Sequence, residues 1–177
     1  PGHTLPAALD RAGYAPADID GVVLSHLDWD HCGGLDRFEG PVYVQRREVA
    51  YAAAPYPMHA ERYDAPTLGR DPPWLHPGLT PVDGETDLAP GVTAFPTPGH
   101  TVGHQSVAVE TDTGTTVVAV DAVPTSGNLE GEDGVTLGSA MDDFAWWHSV
   151  REVRDRADRI LPGHEWDLVP EGPGEVG

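Results

Sequence analysis

The chain has 177 residues, with 29 acidic and 10 basic side chains and a formal net charge of -19. That length reads as one domain, residues 1–177, with enough chain to close an apolar core. Every base is an arginine, and the excess of carboxylates argues against nucleic acid or an anionic membrane as a partner. No run of about 18 apolar residues is present, and the first residues lack a basic-then-apolar leader, so the chain reads as soluble and cytoplasmic.

The first element is an amphipathic helix over residues 4–12, closed by Gly13 with Pro16 shortly after. Residues 19–24 read as a short buried strand leading into His26-Leu27-Asp28-Trp29-Asp30-His31. A second strand is expected over 41–45 and a helix over 46–54, stopped by Pro55 and Pro57. Residues 55–90 carry eight prolines and no sustained periodicity, and are read as a long, partly ordered excursion. Strands follow at 92–97, 106–111 and 115–120, the last two joined by an Asp112-Thr113-Gly114 turn. Residues 128–138 are polar and Gly-rich, a loop. Asp142 or Asp143 caps a helix whose apolar stripe is Phe144, Trp147, Val150, Val153 or Arg154, and Ala157, and this feeds Ile160-Leu161.

With one cysteine, Cys32, there is neither an internal disulfide nor a cysteine zinc framework, so a metal site must come from histidine and carboxylate. Four metal-capable side chains fall within His26–His31, directly after a strand. In an extended segment His26, Asp28 and Asp30 point one way, and Gly33-Gly34 permit a turn that brings His31 alongside. The alternative is a polar loop that ends a strand. Three further candidates each follow an expected strand: His100, Asp121 and His164. Four imidazoles and three carboxylates suit two divalent ions sharing one carboxylate and one bridging hydroxide.

In order, HLDWDH, TPGHTVGHQS, VDA and PGHE resemble the ligand motifs of the metallo-β-lactamase-fold hydrolases, and TPGHTVGHQS and LPGHE are similar to those of the N-acyl homoserine lactonase group. The resemblance runs over residues 4–167 and implies an α/β fold, an αβ/βα sandwich with metals at one sheet edge. It implies that His26, Asp28 and His100 hold a first metal and Asp30, His31 and His164 a second, with Asp121 bridging. Zinc is the metal expected of such a site. Most of the superfamily has histidine where this chain has Asp28, and a hard oxygen there shifts preference towards iron or manganese. Pro124 stands where the lactonase group commonly has a tyrosine that hydrogen-bonds the substrate carbonyl. His26 also comes early for this fold, so the N-terminal part of the sandwich reads as shortened: either the chain is a truncated form, or a second copy or another partner supplies the missing edge.

The implied reaction is hydrolysis of a small ester or lactone by the bridging hydroxide, with Asp30 passing the proton to the leaving alkoxide. Hydrolysis of a thioester or phosphodiester, and a degenerate metal-binding relative without activity, are the alternatives. His104 reads as packing behind His100. Trp29, Tyr56, Tyr63 and Trp74 either line an apolar acyl pocket or pin loops. The acidic, lysine-free composition resembles that of halophilic proteins from salt-rich cytoplasms. Folding is therefore expected to strengthen in molar salt, which screens self-repulsion, and a melting temperature highest in dilute buffer would contradict this.

Overall fold

The structure is a computed structural model and describes residues 4–131, 134 and 139–165. Helix α1 (Leu5–Ala12) begins after Thr4, with Pro6 in its first turn where no N–H is needed, and ends at Gly13 in the left-handed region. Strand β1 (Val22–Val23) pairs in parallel with β2 (Val42–Gln45), which passes directly into α2 (Arg46–Ala53). The regular part of β1 is only two residues of the expected 19–24. Ladder-like bonds extend it slightly, Leu24 N–H donating to Tyr43 O at 2.9 Å.

The excursion of residues 55–90 is more ordered than its prolines suggest. Its far end supplies β3 (Leu79–Val82), parallel to β2, and β4 (Thr86–Ala89). Pro81 is tolerated within β3 because that strand is a sheet edge, bonded on one side only. Tyr63 and Trp74, from the same stretch, are buried in the first core with Leu27, Val42, Val44 and Ala52. Trp74 Nε1 donates to Tyr63 O at 2.9 Å, so these two aromatics pin the excursion rather than line a pocket.

A five-stranded sheet follows in the order β4, β5 (Val92–Pro96), β6 (Gln105–Thr111), β7 (Gly114–Val120) and β8 (Arg159–Pro162). Its first four strands are antiparallel, while β8 joins β7 in parallel after the crossover through α3 (Asp143–Arg156). Asp142 caps α3, its Oδ1 accepting from Ala145 N at 2.9 Å. The expected stripe of α3 holds at Val150 and Val153, which face inward with Trp146 and Ser149, and Trp147 and Ala157 pack partly buried against the same cluster, but Phe144 is exposed. Two polar anchors set that rotation. Trp146 Nε1 donates to Ala122 O and Ser149 Oγ to Pro98 O. The expected loop at 128–138 begins with a 3-10 turn (Ser126–Leu129), and most of it lies outside the described residues.

Helix α2 packs on β2 and β3, and α3 on β7, so each sheet carries a helix over its own apolar cluster. Between the sheets runs a polar seam. Gln105 Nε2 donates to Leu24 O at 2.8 Å, Gln45 Nε2 donates to Gln105 Oε1 at 2.9 Å, and Gln105 N donates to Ser25 O at 2.8 Å. These bonds hold the end of β1 against the start of β6, where the candidate ligands emerge. Among the described residues no helix is long and apolar enough to cross a membrane.

Candidate metal centre

All seven residues singled out in the sequence meet at one edge of the two sheets. His26 follows β1 and is fully buried, its Nδ1 held by Ser25 Oγ at 2.9 Å. Its Nε2 lies 3.6 Å from Asp28 Oδ2 and 3.8 Å from Asp121 Oδ2. Burial, and then the neighbouring His104, His31 and His100, hold its pKa well below the usual imidazole value, which favours a neutral ring.

The extended-strand reading of His26, Asp28 and Asp30 as one converging row is corrected by a turn. His31 N–H donates to Asp28 O at 3.0 Å and Trp29 N–H to Arg62 O at 2.7 Å. Asp28 therefore faces His26 and His100, while the exposed Asp30 joins His31 and His164. The donor atoms form three close sets: His26, Asp28 and His100; Asp30, His31 and His164; and His26, His31 and Asp121, each within 4.8 Å.

Asp121 stands between the first two sets. Its Oδ2 lies 3.2 Å from His100 Nε2, 3.5 Å from His31 Nε2 and 3.8 Å from His26 Nε2, and its Oδ1 lies 3.0 Å from His164 Nε2. Burial raises its pKa, but the hydrogen bond and charge of His31, then His100 and His164, outweigh this and hold it at about 2. For His31 the burial effect is likewise overcome, by the Asp121 hydrogen bond and by the charges of Asp121, Asp30 and Asp28, and its pKa rises.

The backbone reaches this geometry under strain. Val120 has φ +47°, the left-handed region that a β-branched residue rarely enters, where the β7–β8 register shifts. Gly163 then has to be a glycine. A Cβ there would lie 2.7 Å from Asp121 Oδ1 and 2.8 Å from Val120 O. The Pro162-Gly163-His164 turn is held by Gly163 N–H to Val123 O and His164 N–H to Pro124 O, at 3.1 and 2.7 Å. Pro124 thus contributes a carbonyl to the turn that carries His164, where a tyrosine would offer a hydroxyl.

Three residues that the sequence reading passed over complete the site. Glu48, on α2 and fully buried, accepts from Leu27 N–H at 3.1 Å, Thr101 Oγ1 at 2.9 Å and Gly103 N–H at 2.8 Å. One carboxylate thereby ties the His26–Asp28 segment to the His100 loop. Burial pushes its pKa up against these donated bonds. Thr97 bridges His104 Nδ1 and Ser106 Oγ, both at 2.8 Å, which fixes His104 behind His26 and His100. His104 is completely buried with its pKa lowered to about 3, chiefly by burial, a neutral packing residue as the sequence suggested. Arg62, from the excursion, donates to Asp28 Oδ2 through Nη2 at 2.6 Å and through Nε at 3.0 Å. Cys32 is buried and burial raises its thiol pKa, so it is a core filler rather than a nucleophile.

The donor set fits a divalent metal. His26 Nε2, His31 Nε2 and Asp121 Oδ1 are buried without a well-formed hydrogen bond, although the two imidazoles face Asp121 Oδ2 at 3.8 and 3.5 Å and Oδ1 faces His164 Nε2 at 3.0 Å, a polar cluster that a shared cation would satisfy.

Residues 1–164 match the metallo-beta-lactamase superfamily, and the chain belongs to it. It is 37% identical over 126 residues to an N-acyl homoserine lactonase of Bacillus thuringiensis, an alignment spanning 70% of this chain and 46% of that protein. To a probable metallo-hydrolase of Mycobacterium tuberculosis it is 28% identical over 174 residues, covering 92% of this chain and 56% of that one. Among solved structures, an N-acyl homoserine lactone hydrolase with N-hexanoyl-L-homoserine bound at its catalytic metal center superposes with a TM-score of 0.72 at 30% identity, over 92% of this chain and 62% of that one. The chain therefore has the metallo-β-lactamase fold and spans about half the length of the curated relatives it matches.

Proposed function

We propose that this chain is a metal-dependent hydrolase that cleaves a small ester or lactone at a two-metal site. The observation that carries the reading is the convergence of seven donor side chains, three of their buried atoms without a well-formed hydrogen bond, on one sheet edge. The lactonase relatives support the substrate class. His26, Asp28 and His100 would hold one ion, Asp30, His31 and His164 the other, with Asp121 between them. Metal bound there would supply Lewis acidity and a water acidic enough to ionise near neutral pH.

The chain's own residues do the rest. Asp121, charged throughout the working range, keeps the imidazoles around it in register. Asp30 is solvent-exposed, with its Oδ2 3.6 Å from His31 Nε2, so it reaches both the site and bulk water and is placed to carry a proton to a leaving alkoxide. Tyr51, Tyr56, Val102 and Met141, with Gly99 and Thr101 on either side of His100 in the chain, line a cavity of about 210 Å³. This cavity is placed to take the apolar part of a substrate. Each set offers two imidazoles and a carboxylate, a mixture zinc accepts, and the hard oxygen of Asp28 makes iron or manganese compatible with the first.

A panel of lactones, aryl esters, thioesters and phosphodiesters, assayed with zinc, manganese or iron, tests the reading. Turnover of a lactone or aryl ester, abolished by a chelator and restored by metal, with about two ions per chain at saturation, is the expected result. A folded protein that binds no metal overturns it.

A further inference from the structure

Asp28 and His100 are already engaged by a cation that belongs to the chain. Arg62 Nη2 donates to Asp28 Oδ2 at 2.6 Å and lies 3.0 Å from His100 Nε2, and Arg62 Nε donates to both oxygens of Asp28, at 3.0 and 3.3 Å. A guanidinium has donors only, so in the tautomer with its proton on Nδ1 His100 would meet it with the same Nε2 lone pair that a metal would take. The same holds for Asp28 Oδ2. A divalent ion and a guanidinium sharing these atoms would sit close together as like charges, in a site with little water to screen them.

This arginine is delivered by the fold. Its carbonyl accepts from Trp29 N–H at 2.7 Å, its own N–H donates to His59 O at 3.0 Å, and the next residue, Tyr63, is fully buried. Burial opposes its charge, yet the hydrogen bond and charge of Asp28 prevail and raise its pKa. Asp28 answers in kind: burial raises its pKa, and the neighbouring His100 and Arg62 bring it below the usual value. Arg62 makes no hydrogen bond to Asp30, His31, Asp121 or His164 among the described residues, so the two ligand sets differ in this respect.

Building on the two-metal reading, we propose that Arg62 is the resident counter-cation of the His26–Asp28–His100 set, and that a divalent ion enters that set only by displacing its guanidinium. The two sets then load in order, Asp30–His31–His164 with Asp121 first. A carboxylate in place of the superfamily's usual histidine is what makes the arrangement self-consistent. An anion at position 28 gives the guanidinium a charged partner, and a cation nearby makes a buried carboxylate tolerable without metal.

Calorimetric titration of the metal-free protein with zinc or manganese tests this without reference to activity. The wild type is expected to bind in two resolved steps, the second at least tenfold weaker. In Arg62→Gln the second step tightens at least tenfold while the first is unchanged, and in Arg62→Lys, which keeps the charge, the second step stays weak. The metal-free Arg62→Gln protein melts lower than wild type and gains more on adding metal. Should Arg62→Gln fail to fold without metal, the wild-type steps and Arg62→Lys still decide. Two equal steps in the wild type, or a second step unchanged or weakened in Arg62→Gln, overturn the proposal. His31→Ala separates it from the reading on which it rests, since removing the tight step while sparing the weak one supports ordered loading. No heat of binding in wild type or any variant defeats the metal site itself, and the proposal with it.

Discussion

Asp121→Ala is expected to release bound metal and to lower turnover at least about 100-fold, as loss of a metal-site partner does in general. The reason lies in its position. Its two oxygens lie within 3.0 to 3.8 Å of four separate imidazole nitrogens, those of His26, His31, His100 and His164. No other carboxylate at the site approaches more than two of the histidines. Without it, no single anion links the His26–His100 pair to the His31–His164 pair. Asp121→Asn keeps the shape and removes the charge, so it is expected to lose metal nearly as completely, and elemental analysis of both variants after gel filtration reads this directly. Retention of two ions by a folded Asp121→Asn protein would show that Asp121 does not join the two sets.

Glu48→Ala is expected to destabilise the fold by about 3 kcal/mol, since three interior donors lose their acceptor at once. Leu27 N–H, Thr101 Oγ1 and Gly103 N–H have no water to turn to, because Leu27 and Thr101 are completely buried. Relief from burying the carboxylate offsets part of that loss. For a domain of this size the change corresponds to a fall in melting temperature of roughly 6–12 °C. Glu48→Gln does not restore the wild type, because whichever way the amide is turned its NH2 meets at least one backbone N–H. The adjoining backbone leaves no room to adjust: a Cβ on Gly103 would lie 2.3 Å from Glu48 N. Metal affinity should fall together with stability, since Glu48 couples the two ligand segments. A Glu48→Ala protein as stable as wild type would remove that role.

These two residues show how differently site residues announce themselves. Asp121 was legible because it ends a hydrophobic run, Val117 to Val120, and a strand end is where a sheet presents side chains to a site. Glu48 was not, because a single acidic residue on a short amphipathic helix looks the same whether it faces solvent or the interior. In α3 only Phe144 departs from the expected stripe, for a related reason. Phe144, Trp146 and Trp147 offer two overlapping apolar stripes, and the choice between them was made by carbonyls of Ala122 and Pro98, from other parts of the chain. Strand β3 was hidden by Pro81 within it and β4 by Pro90 just after it, since proline disguises an edge strand without preventing it.

The amino-acid sequence alone determined the ligand chemistry. Its single cysteine leaves histidine and carboxylate as metal donors, and four such groups crowd into His26–His31 while the other three each follow a strand. It determined the strand and helix order on which those motifs sit, because hydrophobic periodicity and caps are local properties. Tertiary structure decided which donor faces which. A turn at Asp28 splits a row expected to converge, a strained Val120 aims Asp121 between two sets, and Arg62 arrives from 34 residues away to pair with Asp28. Such pairings are made by parts of the chain distant in sequence, and their energy comes from shared burial, which no short stretch of sequence contains.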